Sequence, residues 1–394
     1  MELIEVKERK QIKEWIDFPR IIHKNDKNWI PALRQDVEKV FDPKRNKSFE
    51  HGEAIRWLLT GPGGRVIGRI AAFVNEKYPN PLNYPVGGMG FFDCINDQKA
   101  ANILLDAAKK WLLDRGMEGM DGPINFGEKN MFWGLLIENF KEANTYGMDL
   151  HPPYYRTLLE NYGFRIFYEQ HILKRPVKNT PATPEQMRLG ELVMKRYGIE
   201  VRDVRGLSIR EIAEQFMHVY NDAWGGMPGF KKMKPGAGYK IIKSMKAVMD
   251  PRVVIFAYHD NEPIGFFVSI PELNQIFKHV NGNLNAWGKI KFLYYKTFHK
   301  PKILYGLVFG VVRKWQRKGV EMAIAKFGSE TIVDEKLYDE LVMTWIGDFN
   351  PKMLTIGAKV GAKISRKYAT LRLNFDPQRV FERHPVVNLD PKED

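Results

Sequence analysis

Apolar residues near the start of the chain recur at helical spacing: Ile12, Trp15, Ile16, Phe18 and Ile22, then Trp29, Leu33, Val37 and Val40. The break Asp26-Lys27-Asn28-Trp29-Ile30-Pro31 divides them into two helices. The period then shortens. Residues 54–59 and 66–74 predict two strands joined at Gly61-Pro62-Gly63-Gly64, and residues 87–92 a third. Residues 99–113 form an amphipathic helix, with Asp97 placed as its N-cap and Gly116 just past its end. A strand at 119–124, a helix at 154–162 closed by Gly163 and a strand at 164–174 complete the series.

The same order then recurs. Past a Pro/Thr-rich stretch, 176–184, and a connecting helix, 187–197, come a strand at 199–204 and helices at 209–222 and 239–249. A hairpin at 252–259 and 264–270 turns at Asp260-Asn261-Glu262-Pro263. An insertion, 277–300, precedes a strand at 303–312 and a helix at 320–330. A strand at 340–346, a helix at 351–360 ended by Gly361 and a strand at 367–375 close the series. A period near half the chain indicates duplication of a domain. The expected units are 1–175 and 198–378, joined by 176–197 and followed by a polar, frayed tail, 379–394.

One stretch joins structure to chemistry. The apolar strand ending at Val311 and Val312 runs through Arg313-Lys314-Trp315-Gln316-Arg317-Lys318-Gly319 into a helix beginning at Val320. A strand, a basic turn containing glycine and a helix N-terminus aim backbone N–H groups and positive charge at one spot, which suits a phosphate. The charge balance agrees. The chain carries a formal +14, and no Asp or Glu stands between Glu272 and Glu321. That basic stretch fits an anionic cofactor, an anionic substrate, a membrane surface or nucleic acid, or is simply a solvated face. Within it Trp287, Ile290, Leu293, Tyr294 and Phe298 interleave with Lys289, Lys291, Lys296 and Lys300, a basic amphipathic helix that packs on its own domain or makes peripheral membrane contact through 287–300.

Other chemistries find no support. Cys94 is the only cysteine, so no disulfide framework or cysteine-rich metal site is available. The nine histidines show no metal-ligand spacing, and no metal is expected. Neither GxGxxG nor GxxxxGK[ST] occurs. No apolar run is long enough for a bilayer and the N-terminus lacks a signal-like apolar segment, so a cytoplasmic protein is expected.

Gln316-Arg317-Lys318-Gly319-Val320-Glu321 resembles the pyrophosphate loop of the GNAT acyltransferases, with Glu321 in place of the usual last small residue. Resemblance to a tandem-domain bacterial branch of that superfamily extends through Tyr220-Asn221-Asp222-Ala223-Trp224, Ile270-Pro271-Glu272-Leu273-Asn274-Gln275 and the run from Glu340 to Asn350. In the first half it rests on Asn28-Trp29-Ile30-Pro31, Phe91-Phe92 and Gly122-Pro123-Ile124-Asn125. It implies an α/β (α+β) fold of two tandem GNAT-like acyl-CoA N-acyltransferase domains, each a mixed, mostly antiparallel sheet flanked by helices. The first half reads Cys94-Ile95-Asn96-Asp97 where the loop would stand, so only the second is expected to bind coenzyme A.

The resemblance assigns Val311, Val312, Gln316, Arg317, Lys318, Gly319, Val320 and Asn350 to the coenzyme, with the strand 305–312 splayed from its neighbour to hold the thioester arm. Asn350 reads equally as a helix N-cap. Glu272 is the candidate general base and Asp348 the second, with Asp222 behind them. Asn221, Trp224, Asn274 and Trp345 are placed in the substrate cleft, and the loop 127–148 lines that cleft or pads the interface. Many GNAT enzymes carry a thiolate-protonating Tyr four residues before the last helix's closing glycine, where this chain has Gly357 and, in the first half, Leu159. Tyr338, Tyr368 or water would have to serve.

The expected function is acyl-CoA-dependent N-acyltransferase, moving acetyl or a longer acyl group from acetyl-CoA or a longer acyl-CoA to a small-molecule or lipid-like amine. The alternatives are a non-catalytic acyl-CoA-binding or sensing protein and, from the charge, a tRNA-dependent aminoacyl transferase of tandem-GNAT type.

Overall fold

The computed structural model describes residues 1–78, 80–178, 182–226, 230 and 232–387. The first half runs β1 (Glu2–Glu5), α1 (Arg9–Asp17), α2 (Pro19–Ile22), α3 (Arg34–Val40), β2 (Gly52–Thr60), β3 (Val66–Asn75) and β4 (Val86–Cys94). It continues through α4 (Gln98–Leu113), β5 (Gly119–Gly122), β6 (Leu135–Glu138), α5 (Tyr154–Tyr162) and β7 (Arg165–Pro176). The second half runs α6 (Pro184–Tyr197), β8 (Ile199–Asp203), α7 (Ile209–Ala223), α8 (Pro235–Met245), β9 (Val254–His259) and β10 (Glu262–Pro271). Then come α9 (Asn274–Phe277), α10 (Ala286–Phe298), β11 (Ile303–Val311), α11 (Val320–Asp334), β12 (Glu340–Met343), β13 (Ile346–Gly347), α12 (Pro351–Lys359) and β14 (Lys363–Asn374).

The caps lie where the local sequence puts them. Asp97 accepts from the N–H groups of Lys99 and Ala100, and Gly163 ends α5 in the left-handed conformation at φ +112°. Of the expected linker, residues 179–181 lie outside the described residues. The loop expected at 127–148 contains β6, whose pairing with β14 no local signal announces.

The strands form one sheet in the order β1-β2-β3-β4-β5-β14-β7-β12-β11-β10-β9-β8. Pairing is mostly antiparallel, but β4–β5 and β11–β12 are parallel. The closing strands are exchanged. β14 from the second half pairs with β5, while β7 from the first pairs with β12, and the two pair with each other at the centre. Each half thereby covers the other's open sheet edge, which would otherwise expose unpaired backbone groups.

Helices cover both faces. In the first half α4 and α5 bury Leu104, Leu112, Tyr155 and Leu159 on one face, and Trp15 and Val37 pack with Phe126 and Trp133 on the other. In the second half α7 and α8 bury Phe216 and Ile242 against β9 and β10. There α6 and α11 bury the opposite face through Val193, Val320 and Ile324. A separate apolar cluster joins the halves, with Leu33 and Met148 of the first beside Phe277, Tyr305 and Tyr368 of the second. The tail expected to fray is docked as far as 387: the His384 N–H donates to the Phe167 carbonyl and its ring stacks on Phe349 at 4.2 Å. Aromatic contact and backbone pairing outweigh its polar composition. Residues 388–394 lie outside the described residues.

Candidate active site: a splayed sheet between two cavities

The β11–α11 turn is built on buried anchors. Val312 N–H donates to Ile264 at 2.9 Å, and Trp315 is buried beside Val311 and Val320. Gln316 Nε2 donates to the Val311 carbonyl at 3.0 Å, and the Arg313 N–H donates to Asp222 Oδ1 at 2.6 Å. Lys318 Nζ lies 4.6 Å from the centre of the Trp315 ring. Arg317 and Gly319 are both left-handed, at φ +63° and +82°. A Cβ on Gly319 would also stand 2.8 Å from Val193 Cγ2 of α6, so glycine is required both by conformation and by space. No side chain caps α11, and with the Met322 N–H donating to the Gly319 carbonyl at 2.8 Å, the N–H groups of Val320 and Glu321 are those left to an anion.

Just before this turn the sheet opens. β11 pairs with β12 only from Ile303 to Gly306, and the Thr344 N–H closes the contact on the Gly306 carbonyl at 2.8 Å. Leu307 is then a bulge: Val268 faces Val308 and Ser269 faces Gly306. β12 ends at Met343, and the chain goes on to pair with β7 through β13. Gly265 faces Val311 and Phe267 faces Phe309 across β10. Because Val312 bonds Ile264, the antiparallel alternation turns the backbone groups of Phe309 and Val311 away from β10 and into the opening.

A cavity reaches this opening from each face. Between β11, β12, α11 and α12 lies an apolar one of about 110 Å³, lined by Phe309, Ile324, Met343, Met353 and Ile356, with Glu321 at the turn. On the other face a cleft of about 1160 Å³ runs between the halves. The first half contributes Asp36 and Tyr146, and the second contributes Ile242, Phe292, Leu307 and Val308.

No family model matches the chain. It is 27% identical, over 93% of its length and 96% of the other's, to the bacterial ceramide synthase of Caulobacter vibrioides. It is 24% identical to protein YghO of Escherichia coli, covering 91% of this chain and 92% of that one. Among solved structures it resembles a tandem GNAT protein from the clavulanic acid biosynthesis pathway, with TM-score 0.53 and 10% identity over 96% of this chain and 99% of that one. The chain has the tandem GNAT fold.

Within this tandem GNAT fold the candidate residues gather at the turn and against the 127–148 loop, and the others lie apart. Val311, Val312, Gln316, Arg317, Lys318, Gly319 and Val320 are together at the turn. Asn350 is the N-cap of α12, accepting from the Met353 N–H at 3.3 Å. Three others act on the 127–148 loop. Glu272, 3% exposed, accepts from the N–H groups of Tyr146 at 2.8 Å, Asn274 at 3.0 Å and Gln275 at 3.1 Å. Burial pushes its carboxyl up, and the amides of Asn274, Tyr146 and Gln275 oppose that. Asn274 Nδ2 donates to the Asn144 carbonyl at 2.7 Å, and Trp345 Nε1 to the Lys129 carbonyl at 3.1 Å. The candidate base Glu272 is not free to face a substrate, because both its oxygens are turned into amides. The loop these residues hold does line the cleft, through Glu128, Asn130, Phe132 and Tyr146.

The remaining candidates lie apart. Asp348 pairs with Arg383 of the tail. Asn221 clamps Met233 through both its amide atoms, and Trp224 stacks on Tyr220 at 4.7 Å while covering Gly310. At Gly357 a Cβ would stand 2.3 Å from Leu173 Cδ2, so a side chain there would require Leu173 to move. Tyr338 donates to Asp250 at 2.9 Å and Tyr368 to the Asp149 carbonyl at 3.0 Å; neither lines the two cavities.

Asp36 was not among the candidates. Its Oδ2 accepts from the Tyr146 hydroxyl at 2.9 Å, and both residues line the cleft. Burial pushes its carboxyl up, resisted by that hydrogen bond and by Lys39 and Arg45. Tyr146 is held well above the usual phenol range by burial and by Asp36, so it remains a donor. An acid in a helix's first turn is ordinary, and only the meeting of residues 110 positions apart marks this one. Among the described residues no group of three or more His, Cys, Asp or Glu could hold a metal ion.

Proposed function

We propose that the protein is an acyl-CoA-dependent N-acyltransferase whose acceptor is a long-chain, lipid-like amine. The observation that carries this reading is the opening between β11 and β12, with a phosphate-suited turn and an apolar cavity on one face and a large interdomain cleft on the other. The likeness to a ceramide synthase supports the acceptor class, since a ceramide is the amide of a fatty acid and a long-chain amino alcohol. The uncapped N-terminus of α11 and residues 316–319 would hold the pyrophosphate, and the backbone of Phe309 with the N–H of Val311, whose carbonyl is taken by Gln316, the thioester arm. A coenzyme thioester supplies an activated acyl carbonyl.

Asp36 takes the first proton from the acceptor ammonium, freeing the amine to attack. The amide C–N bond forms as the C–S bond breaks; the attacking nitrogen gives up its second proton to solvent, and with no phenol at Gly357 the leaving sulfur takes a proton from solvent. Glu272, Asn274 and Trp345 are positioning residues, holding the loop that carries Tyr146 to Asp36. In this reading the first half, 1–175, shapes the acceptor side and 198–378 binds the coenzyme.

The test is thiol release from acyl-CoA of graded chain length with a long-chain amine. The expected result is turnover that falls by about 10²–10⁴-fold in Asp36→Asn with coenzyme binding retained. Because the Asp36 pKa is raised, kcat should climb with pH through that pKa in the wild type and lose this limb in the variant. Coenzyme binding without turnover on any amine would favour the second reading, a non-catalytic acyl-CoA sensor, for which the absent phenol at Gly357 and the acid at Glu321 speak. Full activity in Asp36→Asn would remove Asp36 from the mechanism.

A further inference from the structure

The helix α10 presents two unlike faces. Inward, Phe292 stacks on Phe277 at 5.7 Å and Tyr295 on His279 at 3.6 Å, and Lys296 Nζ donates to the Ala247 carbonyl just past α8. The helix is therefore fixed to its domain without using its outer face. On that face Trp287, Ile290, Tyr294 and Phe298 recur at helical spacing, flanked by Leu293, and each is between 51% and 69% exposed. Tyr239 and Ile241 of the neighbouring α8 are exposed as well. Of the two expectations for this stripe, packing on its own domain or meeting a membrane, the first is not met by these side chains, which face outward. Large apolar side chains exposed on two helices that line one cleft mark an interaction surface.

Its charge identifies the partner. No Asp or Glu occurs between Asp222 and Asp250, or between Glu272 and Glu321, while Lys240, Lys243, Lys246, Lys289, Lys291 and Lys300 stand on or beside the two helices. We propose that the outer faces of α8 and α10 dock on an anionic lipid bilayer. Large aliphatic and aromatic groups enter the acyl boundary while lysines meet the headgroups. RNA would satisfy the lysines and some of the rings but would leave Ile241, Ile290 and Leu293 unburied. Among the described residues no helix is long and apolar enough to cross a membrane, so the contact is peripheral.

The docking surface is continuous with the cleft. Ile241 of α8 and Lys289 and Phe292 of α10 all line it, so its mouth opens between the two docked helices. An amphiphilic amine would pass from the bilayer into the cleft without its chain crossing water. This last step rests on the acyltransferase reading; the docking does not.

The test is co-sedimentation of the full chain, without acyl-CoA, with vesicles of phosphatidylcholine alone and of phosphatidylcholine mixed with phosphatidylglycerol. Binding is expected to the mixed vesicles, weakened by salt, and reduced by at least about tenfold in the double variant Ile290→Glu/Leu293→Glu. Both positions are exposed and lie outside the lining of either cavity, and unchanged melting of the variant checks its fold. Absence of wild-type binding, or undiminished binding by the variant, would overturn the proposal. So would displacement from the vesicles by RNA whose affinity the variant leaves unchanged. Coenzyme titration of the same samples separates the two readings, since vesicle binding without coenzyme binding would sink the acyltransferase reading and leave the docking intact.

Discussion

Cys94 and Val311 hold the same place in the two halves. Each ends the strand before a long helix, and in each case the next residue's N–H bonds the hairpin partner, Ile95 to Ile67 and Val312 to Ile264. In the first half the exposed backbone at this point is closed off. The Cys94 N–H donates to the Tyr155 hydroxyl at 3.1 Å, and its carbonyl accepts from Tyr154 at 2.8 Å. Tyr155 also donates to Asp93 and is fully buried with Phe92 and Leu159. Asp97 then caps α4, putting a carboxylate where an anion would sit. In the second half Met353 lines an open cavity at the place Tyr155 fills, and Gly319 leaves α11 uncapped. One duplicated scaffold thus has its helix N-terminus capped by a carboxylate in one copy and without a side-chain cap in the other.

The comparison can be broken from either side. The largest effect is expected in Tyr155→Phe, which leaves the Cys94 N–H without its acceptor and Asp93 Oδ1 without its donor, while Arg69 still pairs with Asp93 Oδ2, and should cost about 1–3 kcal/mol in chemical denaturation. Coenzyme binding should not change if, as proposed, the closed half takes no part in it; weakened binding in a folded variant would contradict that division. Asp97→Ala should cost about 1 kcal/mol through loss of the N-cap. It should create no second coenzyme site, since Tyr154 and Tyr155 still fill the opening, and two-site titration would refute this. The smallest effect belongs to Glu321→Gln. Removing an acid from the first turn of α11 should tighten coenzyme binding severalfold by relieving repulsion of the pyrophosphate, at a cost in helix stability of about 0.3–1 kcal/mol. Unchanged affinity would place the phosphates away from Glu321.

Much of this was legible in the sequence because it is local. The Asp97 cap, the helix-closing Gly163, the duplicated order of elements and the turn at 316–319 each depend on a few neighbouring residues. The parts that were not legible depend on distant partners. The exchange of β7 and β14 rests on pairing across about half the chain, and the alternation of either strand fits any exposed sheet edge. Glu272 reads as a free carboxylate beside amides until Tyr146, 126 residues away, is seen to occupy it. Asp36 has the converse history: it reads as an ordinary helix-start acid until the same loop brings the Tyr146 hydroxyl to it. That loop supplies the cleft wall, and its contacts with the second half are the information that a single sequence least exposes.

The most direct test of an open second half is calorimetric titration of coenzyme A and acetyl-CoA into the wild type and Gly319→Glu. The substitution puts a Cβ against Val193 at a φ of +82° and adds an acid to the turn. Saturable one-site binding in the wild type, lost in a variant with native circular dichroism, is the expected result. Equal binding by both proteins, or none by the wild type, would contradict the assignment of the turn to the coenzyme.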